Sequence, residues 1–135
     1  MTFNLRRIRT LDTFEFPVKD ADGNPTGVVF TLAGPTHAVR QAQEQAKARR
    51  LVNEANKTGK VKLPDPAEAQ AQRPAEVAAL TLGWAGYVGD DGQPVPFSTE
   101  AARELYADPA MQWLLEQVEE ALGNKTLFTK AASPN

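Results

Sequence analysis

The chain has 135 residues, with 15 Lys and Arg against 17 Asp and Glu, one His and no Cys. This length provides one domain with an ordinary hydrophobic core. The absence of Cys excludes disulfides, thiolate metal sites and Cys nucleophiles, and the single His37 excludes a multi-His metal site within one chain. The apolar runs are far shorter than the ~18 residues that span a bilayer, and residues 1–7 lack the apolar core of a signal peptide. We therefore expect a cytoplasmic protein that binds neither a cofactor nor a membrane and is not an enzyme.

Charge is unevenly distributed along the chain. Residues 1–62 carry 11 basic and 6 acidic side chains, whereas residues 63–135 carry 4 basic and 11 acidic ones. Halves of opposite charge attract each other within one chain or between chains. The basic stretch Arg40–Lys62 is a candidate phosphate contact, but its ordinary interpretation is a solvated helix face, and a pI near 5.4 argues against general nucleic-acid binding.

The N-terminal residues predict an arm followed by a β-hairpin. Residues 1–10 show no periodic pattern, which indicates an arm that is frayed or pairs with a sheet edge. Apolar and polar residues then alternate over Phe14–Val18, which is the period of a half-buried strand. The run Gly27–Leu32 is rich in β-branched and aromatic residues, which favours a second strand with Val28, Phe30 and Leu32 on one face. Pro17 places the first strand at a sheet edge, because proline cannot donate a ladder hydrogen bond.

The segment between the two strands, DADGNP at 20–25, has two interpretations. It begins like a calcium-binding EF-hand loop, but Pro25 stands where that loop has Gly and Thr31 where it has a bidentate Glu. The density of Asp, Gly, Asn and Pro instead favours a hairpin turn.

A polar helix is predicted from Thr36, its N-cap, to Lys57, because Ala, Gln, Glu, Lys and Arg dominate this stretch. Its apolar stripe is thin, so we expect the helix to be partly exposed or to pair with a second copy of the chain. His37 follows the expected cap, and because the chain has no nucleophile motif it is interpreted as a surface residue.

Residues 58–73 contain Pro and Ala with scattered charge and are interpreted as a flexible linker or an insertion. The chain thus divides into a hairpin with a polar helix at 1–57, the linker at 58–73, and a helical region with a loose tail at 74–135. The predicted fold class is mainly α with an N-terminal β-hairpin, that is, a small α+β domain.

Two further helices are predicted directly after the linker. An amphipathic helix begins with Pro74 at its first position and runs to Val88, with Trp84 on its apolar stripe. A Gly- and Asp-rich turn and a Pro-rich extended piece then lead to Ser98, the N-cap of a short helix that ends near Ala107.

The last helix is predicted to begin with Asp108 as its N-cap and Pro109 at its first position. Its apolar stripe consists of Met111, Leu114, Leu115, Val118 and Leu122. Acidic residues fill the opposite face, which favours a solvated surface over an acid–base pair. Leu127 and Phe128 then form one apolar anchor before the loose tail.

Five aromatic residues lie within 30 residues of an otherwise Ala-rich chain: Trp84, Tyr87, Phe97, Tyr106 and Trp113. Large rings dominate the energetics of both cores and interfaces. These residues therefore form either the core of a small helical domain or, through Trp84 or Trp113, a groove that receives a segment of a partner.

The order of motifs in the C-terminal half resembles a known family. A Trp-Gly element at Trp84–Gly86 precedes the sequence DGQPVPFS at Asp91–Ser98, which leads into a short helix, an acidic helix and a closing segment with a Phe and a final Asn. Tail assembly chaperones of long-tailed bacteriophages show a similar order, with a D-G-x-P-x-P-F-S turn. The resemblance covers about Leu80 to Asn135.

This resemblance implies a non-enzymatic role in the infected bacterial cell. Such proteins bind the long, hydrophobic tape-measure protein, keep it soluble, help the tail-tube protein polymerise around it, and are absent from the mature virion. The candidate partner-binding residues are Trp84, Tyr87, Phe97, Trp113 and Leu114. Two alternatives stay open: a small tail-completion or connector subunit retained in the virion, and a nucleic-acid-binding regulator that uses the basic stretch.

Overall fold

The computed structural model of the chain describes residues 5, 8–59, 65–124 and 129–131. These residues form an α+β fold with an N-terminal hairpin, as the sequence predicted, and a further strand extends the hairpin to a three-stranded antiparallel sheet that packs against helices. The elements in chain order are β1 (Ile8–Thr10), β2 (Thr13–Lys19), β3 (Pro25–Ala33), α1 (Ala38–Thr58), α2 (Pro66–Ala79), β4 (Thr81–Ala85), α3 (Thr99–Ala107), a 3-10 turn (Pro109–Met111), α4 (Gln112–Gly123) and β5 (Thr129–Ala131).

The predicted hairpin is formed by β2 and β3, and the sheet order β2-β3-β4 confirms β2 as an edge strand. Phe16 lies opposite Phe30 in the antiparallel register. The hairpin turn is confirmed as well, because the Asp20 carboxylate accepts the backbone N–H groups of Asp22 and Asn24, both at 2.9 Å. These bonds close an Asx-type turn from within the chain.

The N-terminal arm and the C-terminal tail meet in a second, two-stranded sheet. Ile8 of β1 lies opposite Ala131 of β5 in an antiparallel pair. The arm is thus an edge-pairing segment over residues 8–10, and the interpretation of the tail as loose is wrong over residues 129–131, because backbone pairing with β1 orders them. The predicted anchor Leu127 and Phe128 lies outside the described residues.

Helix α1 is long and exposed, as predicted, and none of its described residues is buried. Its N-cap is His37 rather than Thr36. The His37 Nδ1 accepts the N–H of Val39 at 3.1 Å, while the Thr36 hydroxyl donates to Asp12 Oδ1 at 2.7 Å. Thr36 therefore joins the helix start to the beginning of β2 and leaves the cap to the next residue.

Two expectations about residues 58–88 are corrected by the structure. Asp65 caps α2, with Pro66 in the first turn, so residues 66–73 are helical where a linker was expected. The predicted helix from Pro74 to Val88 is also wrong: Pro74 lies inside α2, and the chain continues as β4. Pairing with β3, which places Trp84 opposite Phe30, outweighs the helical spacing of the apolar residues.

The hydrophobic core lies between the inner face of the sheet and helices α2, α3 and α4. Phe30, Tyr106 and Val118 are at most 1% exposed. Thr81 is the one buried polar side chain among the described residues, and its hydroxyl bonds the Val77 carbonyl oxygen at 2.9 Å and the Tyr106 hydroxyl at 2.8 Å. The core therefore keeps its polar atoms hydrogen-bonded.

Helix α3 begins as its cap predicted, whereas Asp108 caps a 3-10 turn and α4 itself begins at Gln112. Ser98 Oγ accepts the N–H of Ala101 at 3.0 Å, and Asp108 Oδ1 accepts the N–H of Ala110 at 2.9 Å. Asp108 begins a 3-10 turn, and α4 follows directly from it. The buried residues of α4 are Leu114, Leu115, Val118, Ala121 and Leu122. This agrees with the predicted apolar stripe except that Met111 lies before the helix and is half-buried.

Candidate functional site

An apolar cleft of about 270 Å³ opens where the β2–β3 hairpin meets the junction of α3 and α4. We call it the aromatic cleft. Its lining residues are Val18, Thr26, Val28, Phe30, Tyr87, Leu105, Asp108, Met111, Trp113 and Leu114. Eight of these ten side chains are apolar or aromatic, which is the composition of sites that bind apolar partners.

Two larger grooves have a more polar lining. One, of about 460 Å³, runs between β2 and α4 and includes Lys19, Asp20, Gln117 and Glu120. The other, of about 640 Å³, runs between α1 and α2 and is lined mostly by Lys, Arg, Gln and Glu side chains. Because burial of apolar surface drives the docking of apolar segments, the aromatic cleft is the candidate site for such a partner.

The strand side of the aromatic cleft is fixed by hydrogen bonds at the turn end of the hairpin. The Thr26 hydroxyl donates to the Val18 carbonyl oxygen at 2.8 Å and accepts the N–H of Val28 at 3.2 Å. Val18 and Phe30 are buried, whereas Val28 is half-buried at the cleft surface. The alternation of the strand sequence places all three side chains on one face of the sheet.

The helix side is formed where the chain turns from α3 into α4. Leu105 comes from α3, Met111 ends the 3-10 turn, and Trp113 and Leu114 belong to the first turn of α4. Leu114 is 3% exposed and forms the floor, while Trp113 is half-buried.

Behind the cleft, Trp84 is the centre of an aromatic cluster. Its ring centroid lies 5.7 Å from that of Phe30, 5.2 Å from that of Tyr87 and 4.9 Å from that of Phe97. The last two contacts are edge-to-face, a favoured geometry for aromatic pairs. The indole Nε1–H also donates to the Val95 carbonyl oxygen at 2.8 Å. Trp84 therefore holds the Pro-rich segment against the sheet.

The structure divides the five sequence-predicted site residues into two groups. Tyr87, Trp113 and Leu114 line the aromatic cleft. Trp84 and Phe97 do not line it and instead pack on each other beside it. Partner contact by any of the five stays a prediction.

Sequence reasoning left several lining residues unassigned to the site. Three of them could have been assigned from the sequence. Val18 and Val28 lie on the predicted apolar faces of the two strands, and Met111 belonged to the predicted apolar stripe of the last helix. For Leu105 and Asp108, no feature of the sequence indicated a place in a cleft. Their contribution depends on how α3 docks against the hairpin, which is a tertiary contact.

Asp108 is the one side chain charged at neutral pH among the residues that line the aromatic cleft. Elsewhere on α3, Arg103 hydrogen-bonds Glu100, and this contact holds the pKa of the Glu100 carboxyl below its usual value and raises that of Arg103. Burial raises the pKa of Tyr106, whose hydroxyl lies in the core.

Comparison with known proteins found no matching family model, no matching curated protein and no matching solved structure. Across residues 8–59 and 65–124, no group of three His, Cys, Asp or Glu residues is placed to hold a metal ion. No helix in the described part of the chain is long and apolar enough to cross a membrane.

Proposed function

We propose that the protein is a tail assembly chaperone of a long-tailed bacteriophage, which binds the tape-measure protein and assists polymerisation of the tail tube around it. The observation that carries this proposal is the aromatic cleft, an apolar surface that includes the half-buried rings of Tyr87 and Trp113. The proposal includes action in the host cytoplasm and absence from the mature virion.

The segment that resembles this family is one structural unit beside the cleft. After β4, the chain reverses at 89–92, and the Val95 N–H donates to the Tyr87 carbonyl oxygen at 3.0 Å. Trp84 bonds the Val95 carbonyl oxygen, as described above, and Phe97 packs on the Trp84 ring. The motif residues therefore support Tyr87, which lines the cleft. This arrangement supports a role for the motif in presenting the site.

The chemistry of the cleft suits a transient hold on an apolar helix. A long chain with apolar faces aggregates when it is free in water, and covering those faces prevents this. Helix-in-groove binding through a few aromatic anchors provides affinity that a polymerising tube can displace. The acidic character of residues 63–135 keeps the complex soluble.

The test is co-expression of the chain with the tape-measure protein, followed by measurement of the soluble, co-purified fraction. We expect the wild-type chain to keep the tape-measure protein soluble and Trp113→Ala to lose most of this effect. Val52→Ala on α1, which also removes exposed apolar surface, is the matched control. Thermal melts of both variants establish that each is folded.

Two results would contradict the proposal. One is a folded Trp113→Ala variant that captures the tape-measure protein as well as the wild type does. The other is mass spectrometry of purified particles that finds the chain in stoichiometric amount, which would favour a structural tail subunit.

A further inference from the structure

We propose that the segment received by the aromatic cleft is a basic amphipathic helix, with Lys or Arg beside its apolar positions. This inference rests on the proposed function, because it specifies the chemistry of the partner at the same site.

The first support is the sign of the charge at the cleft. Asp108 is the one lining residue whose side chain is charged at neutral pH, and it is acidic and exposed. Its cap hydrogen bond to the Ala110 N–H, at 2.9 Å, fixes the orientation of the carboxylate. Glu104 on α3 is also exposed and acidic, although it is not among the residues that line the cleft.

The second support concerns the basic side chains that lie near the lining residues in sequence. Arg103 on α3 is hydrogen-bonded to Glu100. Lys19, which follows the lining residue Val18, lines the separate groove between β2 and α4. Neither residue is among those that line the cleft, so the lining carries acidic charge only.

An apolar cleft with one fixed carboxylate at its border discriminates among apolar helices. Burial of apolar side chains supplies affinity without preference for orientation or flanking sequence. A flanking Lys or Arg adds attraction to the carboxylate, whereas a flanking Asp or Glu adds repulsion. The attraction is screened by salt, since Asp108 is exposed.

The experiment uses three synthetic helices of about 20 residues with the same Leu stripe, which differ in carrying Lys, Gln or Glu beside that stripe. Their affinities are measured by fluorescence titration at low and high salt against the wild type, Asp108→Asn and Glu44→Gln. Asn is also a strong N-cap, so Asp108→Asn removes the charge and keeps the cap. Glu44, exposed on α1, is the control for loss of one negative charge elsewhere.

We expect the Lys helix to bind the wild type about three- to five-fold more tightly than the Gln helix at low salt, as for a single exposed ion pair. Asp108→Asn should remove this preference, and Glu44→Gln should retain it. Equal binding of the Lys and Gln helices to the wild type, with both weakened by Trp113→Ala, would overturn this inference and leave the docking site intact. Helices that fail to bind, or that bind Trp113→Ala unchanged, would instead count against the proposed function.

Discussion

The side-chain amide of Gln117 makes both hydrogen bonds of a strand partner to Lys19, 98 residues away in sequence. The Lys19 N–H donates to Gln117 Oε1 at 2.8 Å, and Gln117 Nε2–H donates to the Lys19 carbonyl oxygen at 2.9 Å. Lys19 ends the edge strand β2, and Gln117 lies one turn after Trp113 on α4. The pair therefore joins the strand side and the helix side of the aromatic cleft.

Replacement of Gln117 tests this connection. Gln117→Ala removes both hydrogen bonds, and Gln117→Glu keeps an acceptor for the Lys19 N–H but faces the Lys19 carbonyl oxygen with a carboxylate. We expect each variant to lower the free energy of unfolding by about 1–2 kcal/mol, with Glu at least as destabilising as Ala. Urea denaturation measures this, with the exposed Gln41→Glu on α1 as the control for added charge. A Gln117→Glu variant as stable as the wild type would show that the pair contributes nothing.

Gly86 directly follows β4 and has a φ of +81°, and a Cβ there would lie 2.5 Å from the Gly27 carbonyl oxygen. Gly92 has a similar φ of +76°, but a Cβ there would meet no atom within 4 Å. We expect Gly92→Ala to cost about 1 kcal/mol for the backbone conformation alone. Gly86→Ala should cost about 1–3 kcal/mol more, because its methyl group clashes with rigid backbone. Denaturant unfolding compares the two, and equal destabilisation would mean that the close approach to Gly27 is unimportant.

Burial of the Tyr106 hydroxyl makes the free energy of unfolding vary with pH in the alkaline range. Desolvation raises the pKa of Tyr106 in the folded state above its value of about 10 in the unfolded chain. Below that pH the phenol is neutral in both states; above it the unfolded state releases a proton that the folded state retains. The free energy of unfolding should therefore be constant with respect to this group below about pH 10 and fall as the pH rises further.

Denaturant midpoints measured between about pH 8 and 11 show this decrease in the free energy of unfolding. The decrease should be smaller in Tyr106→Phe. It should be unchanged in Tyr87→Phe, which removes the hydroxyl of the tyrosine that lines the cleft. If Tyr106→Phe shows the same alkaline decline as the wild type, another group is responsible.

Trp84 is expected to contribute to stability rather than to direct partner contact. Trp84→Ala should lower the free energy of unfolding by about 3–5 kcal/mol, because it removes a ring packed on three others. Trp84→Phe should cost about 1 kcal/mol for the lost bond to Val95 and still capture the partner. Fluorescence-detected unfolding and a pull-down measure the two effects separately. Loss of capture by a fully folded Trp84→Phe variant would show that the indole contacts the partner.

Several elements were predictable because their determinants are local. The alternation in Phe14–Val18 and the β-branched and aromatic residues of Gly27–Leu32 predicted two strands and the face that each presents to the core. Ser98 and Asp108 marked helix starts because a cap acts within three residues of the chain. Asp65 and Pro66 carry the same signal, and the scattered charge around them led to the linker interpretation instead.

Trp84 shows where local pattern is insufficient. Its spacing from Val77 fits a helix, but the edge of β3 offers four of the residues in 81–85 a partner in an antiparallel ladder. Gly83 and Gly86 weaken the helical alternative by about 1 kcal/mol each. The choice between helix and strand was therefore made by a segment about 50 residues earlier in the chain.

The sequence by itself determined the α+β class, the hairpin, the caps of α3 and of the 3-10 turn that leads into α4, and the uneven charge, since each depends on neighbours along the chain. Only the tertiary structure decided that Val18 and Val28 face Leu105 and Trp113 across one cleft, and that Trp84 stands behind it. The physical reason is that the cleft is a contact between surfaces far apart in sequence, whose meeting depends on how the whole core packs.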